Sequence, residues 1–540
     1  QNIWNTLSDT VAQQQFYPLL LHGVTGSGKT EIYLRIMDQA LKQGRQCLFL
    51  VPEIALTTQL WDRISSRLRV PIAMLHSSLT AAERFDAWRM IRRGDVNVVI
   101  GARSAIFASF KNLGAIVVDE EHDPSYKQDE KMRYHARDLA LLKGKYAKCI
   151  VVLGSATPSF ESYYNAHTGK YQLAHLRQRV DNRPLPRVDI IDMKLEKALQ
   201  RKKGGILSRA LTQEIKQRLA KEQQTLIFFN RRGFAPSYIC QECGHAFTCP
   251  NCDVSLIHHH RQRKLCCHYC NHARPVPQEC PACGSFFLIS LGWGTERLEK
   301  EIAHLFPEAR IARMDRDTTS HKGASRAILK QMADGSLDIL IGTQMIVKGF
   351  HLPRVTLVGV ISADQSLNFP DYRASERTFQ LLTQVAGRAG RGSIEGEVII
   401  QTYTPEHYSI ACARQHDYEK FFKHEMKFRR ELAYPPYTKM VNIRFDGTNQ
   451  LQVTQLAQKA GACARTVLDR NNGADNIEIL GPARAPWEKI KNRYRYQMLL
   501  KGTSTQTLHI FSQQILQMAR NEIKNSDTRV SIDVDPVFVL

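Results

Sequence analysis

Long hydrophobic runs are absent from this sequence: none approaches the roughly 20 residues that a bilayer-spanning helix needs, and the first residues are not signal-like. We therefore expect no membrane association. Acidic residues are also outnumbered, because 52 Asp and Glu stand against 74 Lys and Arg, for a formal net charge of +22. This excess predicts a polyanionic partner, most simply nucleic acid. An acidic membrane surface is the competing interpretation, but no basic amphipathic helix stands out.

Cysteines are scarce outside one short stretch, where most of the 13 form C-x-x-C pairs. That arrangement favours metal binding in a reducing cytoplasm over the disulfides of a secreted protein. The length of 540 residues exceeds what one core can organise, so roughly three or four domains are expected. Because the chain begins with Gln1 rather than Met, we also expect that an upstream segment has been removed or is absent. No internal repeat is evident.

Apolar runs alternate with helical patterns through much of the chain, which predicts an α/β fold with parallel sheets. The predicted strands are 18–22, 47–51, 72–75, 96–100, 114–118 and 149–153, and then 225–229, 311–314, 339–341, 355–361 and 397–401. The predicted domains are a first lobe over 1–176, a linker over 177–204, a second lobe over 205–239 and 285–408, a cysteine-rich insertion over 240–284, a helical connector over 409–433 and an α+β C-terminal domain over 434–540.

A glycine-rich loop between a predicted strand and a predicted helix has the pattern of a phosphate-binding P-loop. Its glycines allow backbone N–H groups to face phosphate oxygens at the positive end of a helix dipole. In this pattern Lys29 reaches the β- and γ-phosphates, and the Thr30 hydroxyl binds magnesium. A glycine turn before an ordinary helix is the alternative. The predicted nucleotide-binding residues are Gly23, Thr25, Gly26, Ser27, Gly28, Lys29 and Thr30, with Asp119 and Gly349 from later motifs.

Two further motifs predict the chemistry of nucleotide hydrolysis. Asp119 and Glu120 end a buried-strand pattern, where the first carboxylate can hold magnesium and the second can activate water. Arg388 and Arg391 are three residues apart and can point from one helical face at developing phosphate charge. An acidic surface turn and a basic solvated helix are the respective alternatives.

Loops that follow strands of the two lobes predict nucleic-acid contacts, because ligand-facing loops lie at that sheet edge. The stretch 125–137 mixes aromatic residues with cations, which can stack on bases and hold phosphates, or else form a packed connector. A strand-like stretch over 492–500 alternates cations and aromatic residues in the same way, and a basic exposed strand is the alternative. The predicted DNA contacts are Thr57, Arg103, Ser104, Tyr126, Lys127, Tyr134, Arg137, Thr343, Arg493 and Arg495.

The cysteine-rich insertion gives the strongest metal signal. Eight thiolates are enough for two closed tetrahedral zinc sites, which leave no open position for water and are therefore structural. Four pairs can combine in three ways, and an iron–sulfur cluster is the runner-up for the same thiolates. The predicted ligands are Cys240, Cys243, Cys249, Cys252, Cys267, Cys270, Cys280 and Cys283.

In order over residues 23–391, these motifs resemble the superfamily 2 DNA and RNA helicases. More narrowly, the chain resembles the PriA family, the bacterial primosomal helicases that restart stalled replication forks. The family normally has an N-terminal DNA-binding region ahead of the P-loop, which we expect to be missing here. The residues that carry the narrower resemblance are 119–128, 133–138, 230–236, 315–319 and the cysteine insertion.

The resemblance implies two RecA-like lobes, ATP and Mg²⁺ as cofactors, and two zinc ions in a nested pairing of outer with outer and inner with inner cysteine pairs. It also implies a 3′-to-5′ DNA helicase at stalled or branched forks, in the bacterial cytoplasm at the nucleoid. The implied partners are forked and single-stranded DNA, single-strand-binding protein and primosome proteins that load the replicative helicase. Two alternatives stay open: a fork-binding scaffold for which ATP hydrolysis is dispensable, and a translocase on duplex DNA or RNA.

Overall fold

The computed structural model describes residues 2–52, 58–77, 79–130, 132–180, 184–199, 205–229, 237–240, 245, 247–250, 256–259, 264–267, 272–286, 288–291, 295–315, 318–319, 323–347, 352–368, 371–390, 394–470, 477–522 and 527–539. Up to the end of the first sheet the elements are α1 (Asn2–Ala12), β1 (Tyr17–Gly23), α2 (Lys29–Lys42), β2 (Gln46–Leu50), α3 (Thr58–Leu68), β3 (Ile72–Leu75), α4 (Ala81–Arg93), β4 (Val98–Gly101), β5 (Leu113–Asp119), β6 (Lys127–Gln128), β7 (Tyr134–His135), α5 (Ala136–Ala147), β8 (Ile150–Ser155), α6 (Phe160–His167) and β9 (Gln172–Leu176).

The later elements are β10 (Arg187–Asp192), α7 (Met193–Leu199), α8 (Arg209–Ala220), β11 (Gln224–Phe229), β12 (Ser237–Cys240), β13 (Ile257–His259), β14 (Lys264–Cys266), β15 (Ala273–Pro275), β16 (Leu288–Leu291), α9 (Thr295–Leu305), β17 (Ile311–Met314), α10 (Ala324–Asp334), β18 (Ile339–Gly342), β19 (Val355–Ile361), α11 (Ala374–Ala386), β20 (Glu397–Thr402), α12 (Tyr408–Arg414), α13 (Tyr418–Glu431), β21 (Lys439–Gly447), α14 (Gln450–Arg470), β22 (Glu478–Ile490), β23 (Arg493–Gly502), α15 (Thr505–Glu522) and β24 (Arg529–Val534).

The first sheet has seven strands in the order β3-β4-β2-β5-β8-β1-β9, and neighbouring strands are parallel. Its inner strands are nearly continuous apolar runs because helices cover both faces, and every residue of β2, β4 and β8 is buried. All six strands predicted for this lobe are present. The predicted α/β class is confirmed.

The second sheet has six parallel strands in the order β10-β20-β19-β11-β18-β17. Counted along the chain, this is the same order as in the first sheet without its edge strand β9. The two lobes therefore share one strand order, a structural repeat that was not evident in the sequence. Both sheets belong to one compact unit, formed by Gln1–Phe229, Phe306–Ala363 and Phe379–Phe422.

The structure corrects the predicted linker over 177–204. Within that range β10 pairs with β20 along six residues, from Arg187 opposite Glu397 to Asp192 opposite Thr402, and α7 follows directly. β10 is an edge strand with only one fully buried residue, Val188, so its sequence lacks the apolar run of an inner strand. The second lobe thus begins earlier than predicted.

A second compact unit contains the cysteine-rich insertion and the C-terminal region. In the insertion, β12 pairs with β16, and β13, β14 and β15 form a small antiparallel sheet. The C-terminal sheet has the antiparallel order β22-β23-β21-β24, and α14 and α15 contribute to its apolar core with β21 and β23. Within the described ranges, none of the helices has the length and hydropathy that crossing a membrane requires.

Candidate nucleotide and nucleic-acid site

The predicted P-loop lies between β1 and α2, with the geometry that phosphate binding needs. Gly26 and Gly28 have φ angles of 84° and 85°, a left-handed conformation that glycine adopts without strain. α2 begins at Lys29, whose Nζ donates to the carbonyl oxygen of Gly23 at 2.7 Å. The Ser27 hydroxyl is buried and has no hydrogen-bond partner among the described residues. These groups fit a phosphate ligand, whose oxygens accept hydrogen bonds from such donors.

The acidic motif begins at the end of β5, where Asp119 accepts a hydrogen bond of 3.0 Å from the Tyr33 hydroxyl. Burial, and then the neighbouring charge of Glu120, raises the pKa of Asp119 to about 6. Glu120 has a φ of 48°, which turns the chain sharply beyond the strand. Its Oε2 is buried without a hydrogen bond from the described residues and lies 3.7 Å from Nδ1 of His122. Two adjacent carboxylates thus lie at the same sheet edge as the P-loop.

His122 connects the two lobes, a role that sequence reasoning did not assign. The Gln384 amide nitrogen lies 2.8 Å from Nε2 of His122, and Nδ1 lies 2.7 Å from the Ser155 hydroxyl. Since an amide nitrogen only donates, Nε2 accepts, and the ring proton is then on Nδ1, facing Ser155. The acidic motif, the loop after β8 and α11 of the second lobe therefore share one hydrogen-bond network. In the sequence, His122 and Gln384 are polar residues that belong to recognised motifs, and this position was the signal that could have identified them.

The end of α11 approaches the P-loop closely. A Cβ atom added at Gly387 would lie 2.7–2.8 Å from three side-chain atoms of Thr25. Arg388, one residue further, is partly buried, whereas Arg391 lies outside the described residues. Arg179 was missed because it falls in the predicted linker; it is 8% exposed, passes beside Gly26 and donates to the Gly390 carbonyl oxygen at 3.2 Å.

The loops predicted to contact DNA occupy equivalent places in the two lobes. β4 and β18 each end in a glycine followed by a 3₁₀ turn, Arg103–Phe107 and Gln344–Val347. A Cβ at Gly101 would lie 2.6 Å from the Leu75 carbonyl oxygen, and one at Gly342 would lie 2.7 Å from that of Met314. Arg103, Ser104 and Thr343 thus lie at matching sheet edges. Thr57 and Gly349 lie outside the described residues.

The aromatic and basic stretch after the acidic motif is packed rather than open. Tyr126 is fully buried and its hydroxyl donates to the Asp119 carbonyl oxygen at 2.6 Å, so the predicted base stacking by Tyr126 is corrected to support of the acidic motif. Lys127 is also buried, and its carbonyl oxygen accepts from Arg103 Nη1 at 2.7 Å. Tyr134 packs edge-on against Phe107, with ring centroids 4.9 Å apart. The stretch physically connects the Arg103–Phe107 3₁₀ turn to Asp119.

Two arginines predicted to contact DNA have carboxylate partners instead. The Arg137 side chain is 12% exposed and forms an ion pair with buried Glu121, at 3.2 Å. Arg493 on β23 pairs with Asp446 and, at 3.1 Å, with Asp527. The acidic partners are distant in sequence, so composition alone showed the cations and not their neutralisation. Arg495, two residues further on the same strand, is partly buried.

The cysteine-rich insertion brings predicted ligands together. The sulfur atoms of Cys240, Cys280 and Cys283 lie within 4.8 Å of one another, with 3.6 Å between those of Cys240 and Cys283. That spacing fits thiolates around one tetrahedral zinc and exceeds the roughly 2 Å of a disulfide. The backbone N–H of Cys240, Cys267 and Cys280 donates in each case to the carbonyl oxygen five residues later, so the chain forms the same type of turn after each of these cysteines. Cys249 is described as well, whereas Cys243, Cys252 and Cys270 lie outside the described residues.

Comparisons with known proteins give the same picture. Family models match residues 7–166 (DEAD/DEAH box helicase), 249–275 (PriA DNA helicase Cys-rich region domain), 289–393 (helicase conserved C-terminal domain) and 430–537 (primosomal protein N C-terminal domain). The replication restart protein PriA of Haemophilus influenzae is 43% identical over 519 residues, 96% of this chain and 69% of that protein. The chain belongs to the PriA family.

Other PriA proteins match over a similar range. That of Bacillus subtilis is 45% identical over 534 residues, 99% of this chain and 66% of its own length, and that of Synechocystis is 45% identical over 536 residues, 97% and 63%. The chain therefore spans about two thirds of the length of these relatives. Its two α/β lobes and the match to the PriA cysteine-rich region agree with the predicted fold class and with zinc binding.

Proposed function

We propose that this chain is the motor part of an ATP-dependent 3′-to-5′ DNA helicase that acts at stalled or branched replication forks and promotes primosome assembly for replication restart. Membership of the PriA family supports this proposal. The observation that carries it is the contact of His122 with both Ser155 and Gln384, at 2.7 and 2.8 Å. That network couples the acidic motif of one lobe to α11 of the other, so that hydrolysis can depend on lobe closure.

In this proposal the P-loop residues Gly23, Thr25, Gly26, Ser27 and Gly28 hold the phosphates of ATP, with Gly349 from the second lobe. Lys29 neutralises the β- and γ-phosphates, and Thr30 and Asp119 would hold Mg²⁺, which supplies charge neutralisation on the phosphate oxygens. Glu120 takes a proton from the attacking water. Arg388 and Arg391 stabilise the negative charge that develops on the transferred phosphoryl group.

DNA binding is assigned to the equivalent 3₁₀ turns of the lobes, through Arg103, Ser104 and Thr343, together with Thr57. Arg103 donates to the carbonyl oxygen of Lys127, so a strand that moves Arg103 also pulls on the stretch that ends under Asp119. This chain of contacts supports DNA-stimulated hydrolysis. The C-terminal domain over 434–540 adds a further basic surface, with Arg495 on β23.

Zinc is assigned a structural role. We propose two ions, one held by the outer pairs Cys240, Cys243, Cys280 and Cys283 and one by the inner pairs Cys249, Cys252, Cys267 and Cys270. The approach of Cys240 to Cys280 and Cys283 supports the outer set. Bound zinc would supply closed four-thiolate cross-links that add to the small apolar core formed by Phe247, Leu256 and Leu265.

The partners follow from the family and the charge. We propose forked and single-stranded DNA, single-strand-binding protein, and primosome proteins that lead to loading of the replicative helicase, at the nucleoid in the bacterial cytoplasm. The net charge of +22 supports a polyanionic ligand.

The test is ATPase activity measured with single-stranded DNA, forked DNA and RNA. We expect stimulation by DNA, and we expect Lys29→Ala to abolish hydrolysis while fork binding largely survives. Lys42→Ala is the matched control, because Lys42 lies at the other end of α2 in an exposed pair with Asp38. Hydrolysis that persists in Lys29→Ala, or stimulation by RNA alone, would contradict the assignment.

A further inference from the structure

The Gly154–Ser159 loop comprises the last two residues of β8 and the turn that leads into α6, and it contacts the acidic motif, α11 and α13. The Ser155 hydroxyl contacts His122, as described above. The Thr157 carbonyl oxygen accepts from the Gln380 amide of α11 at 3.4 Å, and the Pro158 carbonyl oxygen accepts from the Tyr418 hydroxyl of α13 at 2.8 Å. A change in the position of this loop would therefore change its contacts with α11, with α13 and with the acidic motif.

One residue, Glu121, holds both ends of the loop. Its backbone N–H donates to the Gly154 carbonyl oxygen at 3.0 Å. Its carboxylate accepts from the Ser159 N–H at 2.6 Å and from the Ser162 hydroxyl at 2.8 Å, at the start of α6. The residue is fully buried. A buried carboxylate with this many donors is fixed in place, because moving it would leave a charge without hydrogen bonds.

Arg137 compensates the charge of Glu121 and extends the connection to α5. Its Nη1 lies 3.2 Å from Glu121 Oε2 and 2.7 Å from the Ser159 hydroxyl. Its Nε donates to Asp138 at 3.0 Å, on the more exposed side. Arg137 lies two residues after the end of the β6–β7 hairpin, in the first turn of α5, and the first strand of that hairpin contacts Arg103.

We infer that Glu121, the third acid of the acidic motif, is a positioning residue that holds the Gly154–Ser159 loop, so that DNA-dependent movement reaches Glu120 and His122. The inference rests on the proposed function. Asp119 and Glu120 suffice for the nucleotide chemistry, and Glu121 faces away from it, toward α5 and α6.

The test is Glu121→Gln, with Asp138→Asn as the matched control that removes the other carboxylate from Arg137. In Glu121→Gln we expect the DNA-stimulated rate of ATP hydrolysis to fall roughly tenfold, while the rate without DNA stays within about twofold. The midpoint of thermal unfolding should fall by on the order of 10 °C, because a buried arginine loses its main partner. Asp138→Asn should leave the stimulation near that of the unmodified chain.

A double variant, Glu121→Gln with Arg137→Met, separates positioning from stability. It removes both buried charges, so the unfolding midpoint should recover, whereas the DNA stimulation should stay low. Recovery of both, or normal stimulation in Glu121→Gln alone, would overturn the inference. If the unmodified chain shows no stimulation by DNA, the proposed function fails. Amide hydrogen exchange of residues 155–157 and 159 then decides for Glu121: faster exchange in Glu121→Gln supports the positioning role, and unchanged exchange overturns it.

Discussion

The contact between Gly387 and Thr25 gives the sharpest test of lobe closure. Gly387 does not have a left-handed backbone, so an alanine there meets no conformational strain and acts through its added methyl group alone. That methyl would lie 2.7 Å from Oγ1 and 2.8 Å from Cβ and Cγ2 of Thr25. The backbones must separate by roughly 0.7 Å or more to restore the ~3.5 Å contact of unstrained carbon atoms.

The expected magnitude follows from the cost of overpacking, which is about 1–3 kcal/mol where neighbours cannot yield. Thr25 is branched at Cβ, which restricts the rotamers through which its side chain could yield. If the closed arrangement is the one that hydrolyses ATP, Gly387→Ala should lower the DNA-stimulated rate by roughly 5- to 150-fold. Binding of a fluorescent ATP analogue should change much less than the rate, because most of the proposed phosphate contacts come from the P-loop of the first lobe.

Steady-state ATPase at saturating single-stranded DNA measures this effect, and Gly169→Ala is the control. Gly169 lies in a turn after α6, where an added Cβ has nothing within 4 Å. Gly169 has a φ of 77°, so alanine there adds backbone strain of its own but no clash, and this site lies away from the P-loop. We expect the DNA-stimulated rate of this control to match that of the unmodified chain. A DNA-stimulated rate for Gly387→Ala at the level of this control would refute the view that the hydrolysing state brings α11 against the P-loop.

Two further predictions concern pH and zinc. Burial, and then the charges of His175 and Lys29, lowers the pKa of His22 to about 3. Between that pH and ~6.5, the imidazole binds a proton only in the unfolded chain. The free energy of unfolding therefore falls as the pH drops through this range. Urea unfolding measures the difference in the free energy of unfolding between the unmodified chain and His22→Gln, and this difference should narrow by about 2 kcal/mol from pH 7.5 to pH 5. A constant difference would contradict the buried, neutral imidazole. Elemental analysis should find two zinc ions per chain. Removal of the zinc should speed amide hydrogen exchange at Lys489, which contacts Pro250, and at Ile490, which packs on the apolar core of the insertion. Exchange in β21 should not change. Unchanged exchange at those two residues would contradict this link.

Periodicity and apolar runs predicted most of the parallel sheets, because a strand that is buried on both faces appears in the sequence as a nearly continuous apolar run. The predicted strands 72–75, 311–314 and 355–361 coincide with β3, β17 and β19. β10 escaped prediction because it lies at a sheet edge and carries charged residues at both ends. Its membership in the second sheet becomes evident only from the pairing with β20.

In the candidate site, likewise, residues defined by their sequence neighbours could be predicted, whereas roles that depend on contacts between distant residues could not. The P-loop and Asp119 are defined by neighbours in sequence, and the structure brings both to one sheet edge. The burial of Tyr126 and the ion pair of Arg137 depend on what packs over them, which a mixture of aromatic residues and cations does not reveal. His122 and Gln384 meet although 262 positions separate them, so no local pattern could join them.

The shared strand order of the two lobes explains why the proposed motor would have one nucleotide site but two equivalent turns for DNA. β1 is followed by the P-loop, whereas β10, its equivalent, runs directly into α7, and residues 187–199 contain no glycine. The second lobe therefore cannot form a phosphate cradle at the matching place, since such a loop needs left-handed residues. It keeps the other repeated feature, the glycine-led 3₁₀ turn after β18. In the proposed motor, one ATP then changes the separation of two equivalent DNA contacts and can move neither one alone. In this proposal, closure and opening of the lobes would become movement along a strand.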